Sequence, residues 1–409
     1  MSRPSIDGER LWRSLMELAK IGATARGGVR RVTLTAADRE GRERFAGWCR
    51  EAGLEVRVDA IGNMFARRAG REPAAPPVVM GSHLDTQPNG GKFDGAYGVM
   101  AGLEVMRALN DAGVTTCAPL EVACWTNEEG SRFVPTMMGS GVFTGVYALE
   151  SVLANKDTDG ITVRAALEAI GYRGEAQPHK VAAYFEAHIE QGPVLEDTGT
   201  TIGVVQGALG QRWFDVLVAG QDAHAGPTPM HLRKDALLAA AQLTLDVNRI
   251  AGTFPDSARG TVGHMQVKPN SRNVIPGEVR MTVDLRNARD ETLSRMREQL
   301  EKNADAIARE RRVSIDMKEV VYFPPSEFAP ELVERVRAAA RELGYSHRDI
   351  VSGAAHDAVY LARVAPTAMV FVPCEGGISH NETENARPAD LAAGCSVMLQ
   401  AVLGTAGTG

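Results

Sequence analysis

Imidazole and carboxylate side chains lie directly after apolar runs of this chain, where the buried strands of an α/β protein would end. In open α/β sheets, ligands bind beyond the carboxyl ends of the strands, so these side chains are expected to meet. Imidazoles and carboxylates without thiolates favour a hydrolytic centre of two divalent metal ions that one carboxylate bridges; zinc, manganese, cobalt and nickel all suit it. The side chains at the ends of the runs are His83, Asp85, Glu128, Glu129, His188 and Glu190. Asp94 lies in the loop after the first run, at the N-cap of the next helix, and His380 lies in the Gly-rich loop after the last run.

Two pairs within this set suggest separate roles. His83 and Asp85 are two residues apart, so in an extended backbone both point to one side, where the carboxylate can orient the imidazole. The adjacent Glu128 and Glu129 point in different directions, which suits one metal ligand and one general base, and Glu128 is the candidate base. Taken singly, each pair could instead be a hydrogen-bonded strand end or a solvated acidic turn. The prediction therefore depends on the convergence of the whole set.

Strands that alternate with helices are needed to position these residues. Apolar runs at 74–82, 120–126, 181–189 and 367–373 predict buried strands, and a helical pattern covers 95–110. This order predicts an α/β catalytic domain with a mixed, mostly parallel sheet.

The middle of the chain has a different pattern, β-α-β-β-α-β, which is the order of a ferredoxin-like α+β unit. Because segments of the parallel sheet lie on both sides of it, we interpret 213–326 as an insertion between catalytic segments 1–212 and 327–409. Pro324 and Pro325 would mark the return linker. The predicted elements are strands at 211–220, 260–267, 278–286 and 313–321 and helices at 232–251 and 290–310.

Composition and charge argue against several functional classes. With 409 residues of which 44% are hydrophobic, the chain can bury a large core, and its net charge of −6 is spread without a basic patch. Nucleic acid is therefore not an expected partner. Residues 1–20 lack a continuous apolar stretch, so neither secretion nor membrane insertion is expected. Five cysteines without a CxxC pair favour a reducing compartment, and we expect a cytoplasmic protein.

Six ordered segments from about residue 54 onward resemble the family of N-carbamoyl-L-amino-acid hydrolases, β-ureidopropionases and allantoate amidohydrolases, within the zinc aminopeptidase and carboxypeptidase-like superfamily. They are GSHLDTQPNGGKFDGAYGVMAGLEV, TNEEGSRF, HIEQGPVLE, DAHAGPTPMHLRKDA, NSRNVIPGEV and SGAAHDAVYLA with GGISHNE. The resemblance implies that the insertion is a lid and dimerisation domain and that the protein is a homodimer. It also implies cleavage of the ureido C–N bond of a small carboxylate substrate, with release of an amino acid, carbon dioxide and ammonia.

Position by position, the resemblance implies a complete ligand set for two divalent metal ions. Asp94 would bridge the two ions. His83 and His188 would complete one site. Glu129 and His380 would complete the other, so no ligand position is missing.

The resemblance also implies that Glu128 is the general base and that the Asp85 carboxylate orients His83. His356 and Asp357 form a second His-Asp pair, which we expect near the site with a structural role at a helix start. This pair is the first replacement if a proposed ligand fails.

Four further residues are implied in substrate handling. His224 would polarise the carbonyl oxygen of the tetrahedral intermediate, and Asn273 and Arg286 would bind the substrate carboxylate. Gln191 would line the site. Without the resemblance, Arg286 could be a surface ion-pair partner, Asn273 a turn former and His224 a loop residue.

Three alternatives to carbamoyl amino acid hydrolysis follow from the same residues. Allantoate hydrolysis would use the same metals, but the segment SHLDTQP favours a carbamoyl amino acid or β-ureidopropionate. A metallopeptidase is disfavoured because HIEQGPVLE resembles the ureido-cleaving branch. An inactive homologue is disfavoured because Glu128 and all ligand positions are intact.

Overall fold

A computed structural model describes residues 4–254 and 257–408, and its internal contacts divide the chain into two units. The first unit comprises Met1–Gln206 with Glu327–Gly409, and the second comprises Gly207–Ser326. The boundary at Gly207, compared with the predicted 213, falls near the end of the strand Ile202–Ala208, and the next strand begins at Gly210.

The elements are given in chain order. The N-terminal segment of the first unit contains α1 (Gly8–Ala19), α2 (Ala36–Glu51), β1 (Glu55–Val58), β2 (Met64–Arg68), β3 (Val78–His83), α3 (Ala96–Asp111), β4 (Leu120–Trp125), α4 (Met138–Phe143), α5 (Leu149–Leu153), α6 (Val163–Ile170), β5 (Ala183–Ile189), α7 (Val194–Asp197) and β6 (Ile202–Ala208). The second unit contains β7 (Gly210–Ala219), β8 (Ala223–His224), α8 (Ala236–Thr253), β9 (Arg259–Lys268), β10 (Val274–Ile275), β11 (Glu278–Asn287), α9 (Asp290–Arg311) and β12 (Ser314–Phe323). The C-terminal segment contains β13 (Ser326–Glu327), α10 (Pro330–Glu342), β14 (His347–Ser352), α11 (Asp357–Leu361), β15 (Thr367–Val372) and α12 (Pro388–Ala406).

One sheet forms the framework of the first unit, in the order β1-β2-β4-β3-β5-β15-β6-β13, with β14 beside β6. Its central strands β4, β3, β5 and β15 are parallel, whereas β1, β2 and β6 pair antiparallel. Every residue of the four central strands is buried, as expected for parallel strands that are covered on both faces. The sheet is the mixed, mostly parallel sheet predicted from the sequence.

Helices α3 and α12 pack against this sheet and against each other. Among the described residues, α12 is long and apolar enough to cross a membrane by length and composition alone. Its side chains Leu391, Val397 and Val402 lie in the hydrophobic core of the first unit. Burial inside the protein therefore accounts for its apolar composition.

The second unit contains a four-stranded antiparallel sheet in the order β12-β7-β11-β9. Buried residues alternate with partly or fully exposed residues along β7, and its buried side packs with α8 and α9 around a separate hydrophobic core. The strand order and the two helices on one face are those of a ferredoxin-like unit. Strands β9 and β12 form the edges of this sheet.

The elements that carry candidate ligands lie close to their predicted positions, whereas β1, β2 and β6 were not predicted. Strands β1 and β2 include charged residues, and β6 contains Gly203 and Gly207, so these strands lack the continuous apolar runs of the central strands.

Candidate metal centre

Asp94 lies at the centre of the candidate ligands. Its Oδ1 atom is 3.3 Å from Nε2 of His188 and 3.6 Å from Nε2 of His83. Its Oδ2 atom is 3.4 Å from Nε2 of His380, and the same nitrogen is 3.3 Å from Oε2 of Glu129. The two carboxylate oxygens thus face two different ligand pairs, which suits a carboxylate that bridges two ions.

The spacing and chemistry of these donor atoms fit divalent metal ions. Two ligands about 2.1 Å from one tetrahedral ion are about 3.4 Å apart, close to the separations around Asp94. Each group, His83-Asp94-His188 and Asp94-Glu129-His380, offers ligand atoms within 4.8 Å of one another. The donors are imidazole nitrogens and carboxylate oxygens, a set that suits zinc, manganese, cobalt or nickel.

Strand ends and one glycine place the first ligand group. His83 is the last residue of β3, and His188 lies on β5, so both imidazoles are held by buried strands. Gly95, with φ of 63°, occupies the N-cap of α3, and Asp94 precedes it. A Cβ atom at Gly95 would lie 2.3 Å from Cε1 of His83. Glycine is therefore required both by the backbone conformation and by the position of the imidazole.

Asp85 orients His83 in a different way from the one predicted. Nδ1 of His83 is 2.9 Å from the main-chain oxygen of Asp85, whereas the Asp85 carboxylate is 3.9 Å away. The carboxylate instead accepts hydrogen bonds from the backbone N–H groups of Glu128 and Glu129, both at 3.3 Å. The structure therefore differs from the predicted contact between the Asp85 carboxylate and the His83 imidazole. The carboxylate binds the two N–H groups, and the main-chain oxygen of Asp85 is the atom nearer to the imidazole.

Glu128 is buried beside the first ligand group, with Oε2 3.5 Å from Nε2 of His83. Burial raises the pKa of Glu128 well above its usual range, and the negative charges of Asp357 and Glu129 raise it further. A carboxyl group with a raised pKa next to the ligands suits acid–base catalysis. The structure therefore separates the adjacent pair into Glu129, which belongs to a ligand group, and Glu128, which does not.

The second ligand group places the two carboxyl groups of Asp94 and Glu129 beside the single imidazole of His380. Burial raises the pKa of Glu129 to about 8, with a further contribution from Asp94. The hydrogen bond to Asp94 raises the pKa of His380 to about 9. For Asp94, burial opposes ionisation, but hydrogen bonds with His188 and His380 outweigh it and hold the pKa well below the usual range. Cations bound between these groups would relieve the cost of holding buried carboxylates together.

Three polar side chains that the sequence did not single out brace the ligands, together with the predicted Gln191. Nε2 of Gln191 donates to Oδ2 of Asp94 at 2.7 Å, and Nε2 of Gln87 donates to Oε2 of Glu129 at 2.7 Å. Ser379 and Glu384 form a further hydrogen-bonded group with Asp94. Their places in the SHLDTQP and SHNETE segments, beside predicted ligands, were the available sequence signal.

Glu190 and His356 also lie near the ligands. Glu190 accepts hydrogen bonds from the N–H groups of Val194 and Leu195, so it stabilises the start of α7 and does not join a ligand group. His356 is the N-cap residue of α11, and its Nε2 atom is 3.0 Å from Ser352 Oγ. Its ring lies 4.5 Å from that of His188, and both belong to a third possible ligand group with Glu186.

The remaining predicted site residues lie in the second unit. His224 on β8 pairs with Val274 of β10, and the N–H group of Ala225 donates to the carbonyl of Asn273 at 2.9 Å. The fold thus brings His224 and Asn273 together. Arg286 lies on β11, where it donates to the Asp284 carboxylate at 2.8 Å.

Comparisons with known proteins show the family to which the chain belongs. The model of peptidase family M20/M25/M40 matches residues 79–404. An N-carbamoyl-L-amino-acid amidohydrolase of Rhizobium meliloti is 49% identical over 403 residues, which cover 98% of this chain and 97% of the relative. An allantoate amidohydrolase of Bacillus subtilis is 34% identical and is covered over 90% of each chain. The crystal structure of an amidase of the hydantoinase/carbamoylase family from Burkholderia multivorans has a TM-score of 0.97 and 54% identity, with 98% of each chain covered.

Proposed function

The chain belongs to peptidase family M20/M25/M40 and is an amidohydrolase of that family, and we propose that it cleaves the ureido C–N bond of an N-carbamoyl amino acid. The observation that carries this proposal is the 49% identity, over nearly the whole of both chains, to an N-carbamoyl-L-amino-acid amidohydrolase. The proposal is supported by two groups of metal-capable side chains that share Asp94, and by Glu128, which lies next to His83 of the first group. The products would be the amino acid, carbon dioxide and ammonia.

We further propose that the site holds two divalent ions, with Asp94 between the two ligand groups. Bound there, such ions supply a water of lowered pKa and polarise the scissile carbonyl group. His83 and His188 would hold one ion from rigid strands. Glu129 and His380 would hold the other from loops.

In this mechanism Glu128 accepts a proton from the attacking water and delivers it to the departing nitrogen. Its position outside both ligand groups leaves its carboxyl group available for the proton. The Asp85 carboxylate accepts hydrogen bonds from the backbone N–H groups of Glu128 and Glu129. These bonds fix the position of the proposed base relative to the proposed ligand.

We assign substrate binding to Gln191, Asn273 and Arg286, and stabilisation of the developing oxyanion to His224. The guanidinium of Arg286 is a planar set of hydrogen-bond donors that matches a carboxylate. A hydrogen bond to the Asp284 carboxylate orients this guanidinium. Hydrogen bonding between the β8 and β10 segments holds His224 near Asn273, which supports a shared role for these two residues.

A homodimer formed through the second unit is part of the proposal. Strand β9 is a ten-residue edge strand, and Met265 on it and Leu245 on the adjacent α8 are 38% and 72% exposed. An unpaired edge with exposed apolar side chains suits pairing with a second copy. The double variant Leu245→Lys with Met265→Lys should sediment as a monomer, whereas Ile161→Lys, in the first unit, should stay dimeric. A double variant that remains dimeric would place the interface elsewhere.

The state of the cysteines supports a proposal about the cellular compartment of the protein. All five are free in the structure, and four of them are buried. Unpaired, buried thiols support the proposal of a reducing, cytoplasmic location.

Ammonia release tests the proposed reaction. The metal-loaded protein is given N-carbamoyl-L-amino acids, N-carbamoyl-β-alanine and allantoate side by side, with a chelated sample as control. Metal-dependent release from a carbamoyl amino acid is the expected result. Activity on allantoate alone would instead favour the activity of the Bacillus subtilis relative, and no activity on any of the three would refute the proposal.

A further inference from the structure

A buried carboxylate that the proposed reaction does not use lies directly behind Asp94. Glu384 is 1% exposed, and its Oε1 atom accepts hydrogen bonds from the N–H groups of Phe93 at 2.8 Å and Asp94 at 3.1 Å. Its Oε2 atom is 2.8 Å from Oγ of Ser379, which in turn is 2.6 Å from Oδ2 of Asp94. One side chain therefore contacts both the main chain and, through a hydroxyl group, the side chain of Asp94.

The surrounding backbone is shaped to admit this carboxylate. A Cβ atom at Gly91 would lie 2.0 Å from Cδ of Glu384, so a larger residue there would displace the carboxylate. On the other side, the N–H group of Glu384 donates to the carbonyl of Asn381 at 3.0 Å, and the Asn381 side chain accepts from Thr383. The loop before Asp94 and the turn after His380 thus both fit around Glu384.

The two ligand groups differ in how firmly the fold holds them. His83 and His188 are buried on strands of the sheet. His380 lies on a loop with φ of 54°, and half of its side chain is exposed. The second group therefore needs a connection between the loop of Asp94 and the turn of His380. Glu384 supplies it by accepting a hydrogen bond from the N–H group of Asp94, which lies 290 residues earlier in the chain.

We propose that Glu384, acting with Ser379, is a positioning residue for the Asp94-Glu129-His380 metal site. It fixes the direction of the Asp94 carboxylate and the distance between Asp94 and His380, and it touches neither metal nor substrate. This inference rests on the two-metal centre of the proposed function. It assigns Glu384 a role in the retention of one ion, in preference to a general role in folding.

The hydrogen-bond pattern predicts which substitution is tolerated. Ser379 has a single hydroxyl proton between two carboxylates, so it can donate fully to one of them at a time. A glutamine at 384 can accept from both backbone N–H groups through its oxygen and donate to Ser379 through its amide. The Ser379 proton is then directed to Asp94, so Glu384→Gln should preserve the site, whereas Glu384→Ala should not.

The test uses the full chain loaded with Co²⁺, whose visible absorption reports on the ligand geometry of each site. Metal content and the rate of Co²⁺ release to a chelator are measured for Glu384→Ala, Glu384→Gln and Ser379→Ala. Glu382→Gln is the matched control, because Glu382 lies on the same turn as Glu384 but pairs with Arg26. Loss of a hydrogen-bond partner behind a ligand weakens metal affinity about 10- to 100-fold.

We expect Glu384→Ala to retain one Co²⁺ and to bind the second about 10- to 100-fold more weakly. Ser379→Ala should weaken the second ion as well, while Glu384→Gln and Glu382→Gln keep both ions and the original spectrum. Two unchanged ions in Glu384→Ala would overturn the proposal, and so would equal losses in the Ala and Gln variants. If Glu384→Ala fails to fold, Ser379→Ala decides: a weakened second ion supports the proposal, and an unchanged one refutes it.

These readouts are separate from the test of the reaction, because no substrate is present. A chain that binds two Co²⁺ ions but cleaves no carbamoyl substrate would refute the proposed substrate and leave the role of Glu384 intact. A chain that binds only one ion would refute the two-metal centre and this inference with it.

Discussion

Three polar residues of the metal centre have left-handed backbone conformations, with φ of 55° at Asn127, 57° at Gln191 and 54° at His380. Such conformations cost a residue other than glycine of the order of 1–3 kcal/mol and persist only where the surroundings impose them. Asn127 directly precedes Glu128, Gln191 donates to Asp94, and His380 belongs to a ligand group. At these three positions, unfavourable backbone geometry occurs where side-chain direction matters for the proposed chemistry.

The assignment of Glu128 as general base predicts a clean separation between metal binding and turnover. Glu128→Gln removes the proton acceptor but keeps the volume, so the variant should retain its metal and fold and lose at least about 100-fold in kcat. The contrasting variant Glu129→Gln should lose metal as well as activity. Metal analysis and steady-state kinetics on both variants check this. Near-normal turnover by Glu128→Gln would require another acid as the base.

For Arg286→Ala we expect a raised KM with a smaller change in kcat, because a charged hydrogen bond to the substrate carboxylate is removed. Such bonds contribute about 1.5–3 kcal/mol, so KM should rise about 10- to 100-fold. Arg280→Ala is the matched control, since Arg280 lies on the same strand and also pairs with an acidic residue two positions away, Glu278. An Arg286→Ala variant whose KM matches that of the control would remove Arg286 from the carboxylate site.

Among the elements, the connection between β3 and α3 carries the largest share of the site. It begins after His83 and contains Asp85 and Asp94 before Gly95 starts the helix. Its base is held by the buried Arg31, whose guanidinium donates to the carbonyl of Leu84 at 2.7 Å. The same guanidinium donates to carbonyl groups at the end of α1, so the N-terminal helix also supports this connection.

Gly95→Ala tests how tightly this connection is built. The new Cβ atom would lie 2.3 Å from the His83 ring, so we expect loss of metal together with about 1–3 kcal/mol of stability from the left-handed backbone. Gly113→Ala separates the two effects, because Gly113 has φ of 62° and no neighbouring atom within 4 Å. Metal content and thermal unfolding should show a stability loss in both variants and metal loss only in Gly95→Ala. Full metal content in Gly95→Ala would show that His83 can move without leaving its ligand group.

The whole molecule consists of two units with separate hydrophobic cores. All the proposed metal ligands lie in the first unit. The first unit therefore bears the cost of a buried acidic cluster. Bound cations stabilise it by mass action, by about 2.7 kcal/mol when the free ion is at 100 times its dissociation constant. Metal binding is thus expected to contribute to stability as well as to catalysis.

Chelation should accordingly lower the Tm of the first unit, and more so as the pH rises. The folded pKa values of Glu129, His188 and His380 are raised to about 8, 9 and 9, so protonation of these groups stabilises the metal-free fold at low pH. That contribution is lost as the pH rises through those values. His83, with its pKa lowered to about 4 by burial, acts in the opposite direction below its usual value.

The measurement is thermal unfolding of chelated and metal-loaded protein at several pH values from 5 to 8. The chelated protein should lose stability across this interval, while the difference in Tm from the loaded protein grows, because metal and protons compete for the same atoms. A difference that is constant with pH would contradict the proposed ligand set.

Features that depend on neighbouring residues in the chain could be predicted from the sequence, whereas contacts between distant segments could not. The parallel strands and the ligands at their ends could be predicted, because apolar runs and the residues directly after them are local features. His83, Glu129 and His188 needed only their strands to be recognised as candidates, and Asp94 and His380 were found in the loops that follow strands. The resemblance supplied the division of these residues between two metal sites. The β-α-β-β-α-β order likewise predicted the ferredoxin-like unit from local periodicity alone.

The tertiary structure alone decided which polar groups meet. It paired the Asp85 carboxylate with two backbone N–H groups in place of His83 and placed Glu384 behind Asp94. A carboxylate forms equally good hydrogen bonds with many donors, and the choice among them depends on chain segments that are distant in sequence and close only after folding. Local pattern therefore predicts where ligands lie, and long-range packing decides how they are held.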